Sequence, residues 1–99
     1  MADLRFVWDE AKDRTSRRKH GVAFDEARTV FYDSHAREYG DPDHSVDEDR
    51  YLMLGLSSRL RVLVVCHCYR VSESVVRIFS AREANDSEER EYWSRINES

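Results

Sequence analysis

Tyr51-Leu52-Met53-Leu54-Gly55-Leu56-Ser57, Arg61-Val62-Leu63-Val64-Val65-Cys66-His67-Cys68-Tyr69-Arg70 and Val75-Val76-Arg77-Ile78-Phe79-Ser80 decide the fold. All three runs are rich in β-branched, aromatic and aliphatic residues. Only Ser58-Arg59-Leu60 and Val71-Ser72-Glu73-Ser74 separate them. Gaps that short join neighbouring strands, so the runs predict an antiparallel meander. Upstream, Leu4, Phe6 and Trp8 alternate with Arg5 and Val7, which predicts a short first strand. Asp9 is a good N-cap for a helix reaching about His20, where Gly21 supplies a left-handed stop. That helix has Ala11 almost alone among apolar residues, so most of it faces water or a partner. Asp25 caps a second helix with Ala27, Val30 and Phe31 as its buried stripe, and the polar, acidic residues 33–49 with Pro42 read as a loop. Downstream, Asp86 or Ser87 caps a last helix reaching about Ile96, with Glu88, Glu89 and Glu91 suited to its dipole. The expected order is β-α-α-β-β-β-α, an α+β fold forming one domain over residues 1–99.

Side chains alternate across a strand, so parity sorts them into faces. Leu52, Leu54, Leu56, Val62, Val64, Cys66, Cys68, Val76 and Ile78 are almost uniformly apolar and are expected to pack beneath the helices. The odd positions put Tyr51, Arg61, His67, Tyr69 and Arg77 on the other face, with Arg70 and Arg82 at strand ends where a bulge can re-aim them. Such a face holds the ingredients of RNA cleavage without a metal. Guanidinium groups stabilise the extra charge of the transition state, histidine or tyrosine moves protons, and aromatic rings hold unpaired bases.

Charge is segregated along the chain. Lys12, Arg14, Arg17, Arg18 and Lys19 face only Asp13, while residues 33–50 and 83–99 are strongly acidic. Arg59, Arg61, Arg70, Arg77 and Arg82 face only Glu73. A fold that joined the two basic segments would create a positive face on a molecule of net charge −4. That net acidity, and the lack of a helix-turn-helix pattern, argue against direct DNA binding. No apolar run is long enough to span a bilayer and no signal-peptide layout opens the chain, so a cytoplasmic protein is expected. Cys66 and Cys68 point away from His67 in a strand, so the three cannot share an ion and the thiols are expected to be free and buried. His44 is expected to be a polar loop residue, and neither a metal nor another cofactor is expected.

Several strings resemble the BrnT family of toxin–antitoxin toxins. They are Phe6-x-Trp8-Asp9-x-x-Lys12, Lys19-His20-Gly21-Val22-x-Phe24-x-Glu26-Ala27 with Val30-Phe31, Asp41-x-x-His44-Ser45-x-x-Glu48-x-Arg50, and Gly55-x-Ser57. Arg61, Arg70 and Arg77-Ile78-Phe79-Ser80-Ala81-Arg82 complete the match. Ser16 stands where the family usually has Asn, and Leu60 where it often has Gly. The resemblance implies a RelE-like ribonuclease toxin, a small twisted antiparallel sheet with helices on one face. Such a protein cuts RNA and arrests translation without a metal cofactor. It also implies a BrnA-type antitoxin with a ribbon-helix-helix end, whose complex with the toxin represses its own operon and meets DNA through the antitoxin. On that basis Arg61, Arg77 and Arg82 are expected to neutralise the scissile phosphate, with Arg70 at the rim. His67 or Tyr69 would move protons, and Lys12, Lys19, His20 and Tyr51 would complete the RNA-binding set. The expected chemistry is attack by the RNA 2′-hydroxyl on its own 3′-phosphate. The alternative is a non-catalytic module that grips an antitoxin through its basic first helix and acts in operon autoregulation.

Overall fold

The computed structural model describes residues 3–42, 49–70 and 74–97. Its elements are β1 (Arg5–Trp8), α1 (Glu10–His20), α2 (Phe24–Ala27), a 3-10 segment (Arg28–Tyr32), β2 (Arg37–Gly40), β3 (Tyr51–Leu56), β4 (Val62–Arg70), β5 (Val75–Glu83) and α3 (Asp86–Asn97). The sheet order is β1-β5-β4-β3-β2. Asp9 caps α1 as its sequence predicts, accepting from the Ala11 amide at 2.7 Å. Gly21 ends it at φ 67°, its amide donating to Arg17 O.

The β3-β4-β5 meander matches the sequence, and the α+β class holds. Two caps shift, since Asp25 lies inside α2 behind Ala23 and Asn85 caps α3 in place of Asp86 or Ser87, and three features of the sheet and its cover differ. First, residues 37–40, expected within a loop, form the edge strand β2 and pair antiparallel with β3 from Arg37↔Leu54 to Gly40↔Tyr51. Arg37-Glu38-Tyr39-Gly40 is short and polar, as edge strands often are, and carries no apolar alternation. Second, β1 lies parallel to β5, from Arg5↔Val75 to Trp8↔Ile78, so the sheet is mixed. Third, helices cover both faces. Val22, Phe24, Ala27 and Val30 pack on Leu63, Val65, Val76, Ile78 and Ala81. On the opposite face, Tyr92 of α3 packs on Leu54, Val62 and Val64.

That double cover splits the expected set, with Leu54, Val62 and Val64 under α3 and Val76 and Ile78 on the opposite face with Phe24, Ala27 and Val30. The odd positions of β4, not the even ones, form the floor beneath α2 and the 3-10 segment. Every residue from Val62 to Cys68 is buried, and a strand buried on both sides leaves no alternation from which to choose the deeper face. Gly55 marks the tightest packing. A Cβ there would stand 2.9 Å from Ala36 Cβ and 3.2 Å from Val30 Cβ, so the segment preceding β2 rests directly on the β3 backbone.

α1 runs beside the part of β5 that β1 does not reach. Ser16 fastens it there, its hydroxyl oxygen 2.7 Å from Val22 O and 3.2 Å from Ala81 O. At the β3–β4 turn Leu60 takes φ 64° and is 79% exposed. A leucine there carries left-handed strain and packs against little. Leu60→Gly should therefore stabilise the fold by about 0.5–1 kcal/mol. Thermal melting would read this as a rise of a few degrees, and an unchanged or lower Tm would contradict it. No helix among the described residues is long and apolar enough to cross a membrane.

Candidate functional site

A one-residue bulge in β5 sets the chemistry of the sheet. Near its end, β5 pairs Leu63↔Glu83, Val64↔Arg82 and Cys66↔Ser80. Earlier in the strand the register shifts to His67↔Ile78 and Cys68↔Arg77, which leaves Phe79 as the extra residue. An unbroken register would set Arg77 opposite Tyr69. The bulge instead moves Arg77 to the face of Cys66, Cys68, Ser80 and Arg82, and turns Phe79 onto that face as well.

Cations surround the Phe79 ring. Arg50 Cζ lies 4.0 Å from its centroid, Lys12 Nζ 5.3 Å and Arg77 Cζ 5.5 Å. An open depression of about 520 Å³ runs between α1 and β5, lined by Lys12, Thr15, Ser16, Lys19, His20, Phe79 and Ser80, among others. A smaller one continues it over Leu52, Val64 and Cys66 to Arg82. Lys12 and Lys19 are seven residues apart on α1, two turns, which places both over this cleft. Among the described residues, no carboxylate stands within ion-pair distance of Lys12, Lys19, His20 or Arg77. Lys12 and Lys19 line the depression together with Asp9, the α1 cap, and Arg77 reaches it at the Phe79 ring; that surplus of unpaired positive charge suits an anion.

Arg82 sits at the far end of the cleft under restraint. Its two terminal nitrogens donate to the Glu88 carboxylate at 2.8 and 2.9 Å. Glu88 also accepts from the Asn85 amide while Asn85 Oδ1 accepts from the Glu88 amide, a reciprocal cap that starts α3. The Glu88 hydrogen bonds raise the Arg82 guanidinium above its ordinary value, and the same Arg82 contacts hold the Glu88 carboxyl below its own. On the cleft floor Cys66 is a free, buried thiol, pushed upward by burial and then by the Asp41 carboxylate, whose Oδ2 lies 3.8 Å from Sγ. It is therefore held as a thiol, not as a thiolate nucleophile.

The remaining sequence-predicted residues lie elsewhere. His67 is fully buried on the face beneath α2 and the 3-10 segment, its ring centroid 4.7 Å from that of Phe31. Its Nε2 lies 2.7 Å from Glu38 Oε1, to which the Tyr69 hydroxyl donates at 2.6 Å. Tyr51 packs its ring against both. These three form an aromatic cluster around Glu38 and do not share a face with Arg77, which corrects the expectation that they would. Arg61 is also spoken for. It donates to Glu26 through Nε at 3.0 Å and a terminal nitrogen at 2.5 Å, to Gly21 O at 3.0 Å and to Glu83 at 3.0 Å. Arg70 ends β4 exposed, opposite Val75. The structure thus unites Arg77 and Arg82 with Lys12, Lys19 and His20, and separates Arg61, His67, Tyr69 and Tyr51 from them. It adds Arg50 and Phe79, which parity counted back from β3 and a bulge in β5 would have suggested. His44 falls outside the described residues, and among those residues no three His, Cys, Asp or Glu side chains converge as metal ligands.

Three carboxyls acquire a pH signature from these contacts. Burial pushes Glu26 upward, yet hydrogen bonds from Arg61 and Ser57 outweigh it and hold the group below its ordinary value of 4.5. Burial of Asp33 is likewise outweighed, by the Leu56 amide and the Tyr92 hydroxyl. Groups depressed in the fold, with Glu88 the third, contribute stability that is complete above their unfolded values and lost as pH falls through the folded ones. The urea midpoint should stay level from pH 7 to about 5 and fall steadily below about 4. A midpoint unchanged down to pH 3 would contradict these assignments.

A family model described as "Ribonuclease toxin, BrnT, of type II toxin-antitoxin system" matches residues 8–88. The chain belongs to the BrnT ribonuclease toxin family. Every cleft residue named above falls inside the matched range, as does the bulge. No curated protein sequence matches the chain. The crystal structure of the Brucella abortus ribonuclease toxin BrnT superposes with a TM-score of 0.64, covering 84% of this chain and 99% of that one at 22% identity. At that identity the likeness is one of fold. BrnT membership makes this a ribonuclease toxin of a type II system, a class that implies an RNA substrate and an antitoxin partner.

Proposed function

We propose that the chain is an endoribonuclease that cuts RNA without a metal ion, at the cleft between α1 and β5, and so inhibits translation. The observation that carries this is the ring of cations around Phe79, with Lys12, Lys19, His20 and Arg77 free of carboxylate partners among the described residues. A phosphate seated there meets Arg77, Lys12 and Arg50, whose fixed charge offsets the extra negative charge of a five-coordinate phosphorus. The 2′-oxygen bonds to phosphorus as its proton passes to a base, and the bond to the 5′-oxygen breaks as that oxygen takes a proton. The ends are a 2′,3′-cyclic phosphate and a 5′-hydroxyl. His20, whose imidazole can both accept and donate, is the proton carrier we assign. Arg82 holds the strand at the α3 end and Arg70 the open end of β4. The wider set rests on the family: a RelE-like toxin, a BrnA-type ribbon-helix-helix antitoxin as partner, and autoregulation of the operon through DNA bound by the antitoxin.

The test is cleavage of a long single-stranded RNA in EDTA with analysis of the ends. Cyclic phosphate ends in EDTA are expected. Cleavage that EDTA abolishes and a divalent ion restores, or 5′-phosphate ends, would overturn the mechanism. A pure chain that binds its antitoxin and cuts nothing would favour a binding module.

A further inference from the structure

A second depression lies across α1 from the cleft, and cations from three elements converge on it. Arg17 comes from the last turns of α1, Arg28 from the start of the 3-10 segment and Arg59 from the β3–β4 turn, with Ser58 and Thr29 between them. Its volume is about 480 Å³. Arg59 makes no ion pair with a carboxylate among the described residues, though its charge helps hold down the Glu26 carboxyl nearby. Arg17 and Arg28 have only local ones, Asp13 at 3.4 Å and Asp25 at 2.8 Å, one turn away along the chain. The Arg28–Asp25 pair is exposed on both sides and yields readily to a phosphate, and the buried Asp13 is held by the Phe24 amide at 2.8 Å besides its longer contact to the exposed Arg17. Two carboxylates also line the depression, but Asp25 is exposed and tied to Arg28, while Glu26 is buried beneath Arg61.

The two depressions meet at the same end of one helix. Lys19 and His20 line the cleft and Arg17 and Gly21 line the second depression. A helix with its side chains is about 10 Å across, a span that a few nucleotides of extended strand cover. We infer that the Arg17–Arg28–Arg59 depression is a second phosphate-binding site, which holds the RNA strand where it leaves the cleft over the C-terminal turn of α1. This rests on the cleavage reading above, and it makes the preferred substrate a single strand several nucleotides longer than the scissile step.

The experiment compares the wild type with Arg17→Ala/Arg28→Ala/Arg59→Ala on a dinucleotide and on a single strand of about twenty nucleotides, with unaltered thermal melting as the check on folding. A version of the long strand with a 2′-deoxy cut site gives binding alone. Turnover of the dinucleotide should stay within about twofold. KM for the long strand should rise about tenfold or more, and the slope of log affinity against log salt should fall by about 2, near 0.7 for each phosphate that the variant no longer neutralises. An unchanged KM and slope would overturn the second site. Unchanged RNA binding with weakened antitoxin binding would overturn it in favour of a protein-docking role. A wild type that binds the deoxy strand with the steeper slope yet cuts neither substrate would remove the cleavage reading and leave the binding site standing.

Discussion

Replacing Arg77 with alanine should slow cleavage of a single-stranded RNA by about 10²–10³-fold while shifting the melting temperature little. The side chain is half-buried and its one described contact is the Phe79 ring, at 5.5 Å. Removing an exposed cation–π contact costs about 0.5–1 kcal/mol, so the fold survives. The loss of rate follows from what the guanidinium does in the transition state. Phosphorus gains a bond before it loses one, and the added charge needs a donor already in place. Arg77→Lys keeps the charge and loses the two-point fork, so it should fall between the parent and the alanine variant. Parental rates in Arg77→Ala would show that the reacting phosphate lies elsewhere.

Arg61→Ala should behave in the opposite way, costing about 3 kcal/mol of stability with no specific effect on the chemical step. Glu26 is only 7% exposed, and its carboxylate is held by Arg61 and by the Ser57 hydroxyl at 2.6 Å. Without Arg61 a charge stays buried with one neutral donor, which is the expensive half of breaking such a pair. Replacing both partners with apolar residues of similar volume, as in Glu26→Leu/Arg61→Met, removes the stranded charge and should recover at least half of the loss. Urea denaturation measures the stability, and cleavage assayed where each variant is folded measures the chemistry. If the double variant is stable and cannot cut, Arg61 belongs to the catalytic set after all.

The contrast between these two arginines shows what the sequence could disclose. Both read as strand residues of the same parity, and parity is sound while a ladder is unbroken. Phe79 breaks it. A bulge has no composition of its own, so nothing in Arg77-Ile78-Phe79-Ser80 announces that Arg77 will part from Tyr69 and join Arg82. The meander, the cap at Asp9 and the stop at Gly21 were legible because each rests on local chemistry. The edge strand β2 was not, since two charged residues, a tyrosine and a glycine acquire strand character only from pairing with β3. His67 misled for a different reason. An imidazole suits catalysis and also suits a buried contact with Glu38 and Phe31, and only the position of α2 and the 3-10 segment decides between them. Arg50 stood in the family resemblance without a role, because the acidic stretch before it hid its alignment with Leu52 and Leu54 on one face of β3.

The parallel pairing of β1 with β5 has a consequence for how the molecule comes into being. Residues 5–8 find their only described sheet partner in residues 75–78, so β1 must wait for β5, far along the chain, before it can pair. The cleft likewise draws on residues far apart in the chain, with Lys12 and Lys19 made well before Arg77 and Arg82. Domains mature as their contacts emerge from the ribosome, and here the decisive contacts wait for β5. A nascent chain therefore carries no assembled cleft until residues 75–82 have left the ribosome, and a cell that makes this ribonuclease meets it only after that point.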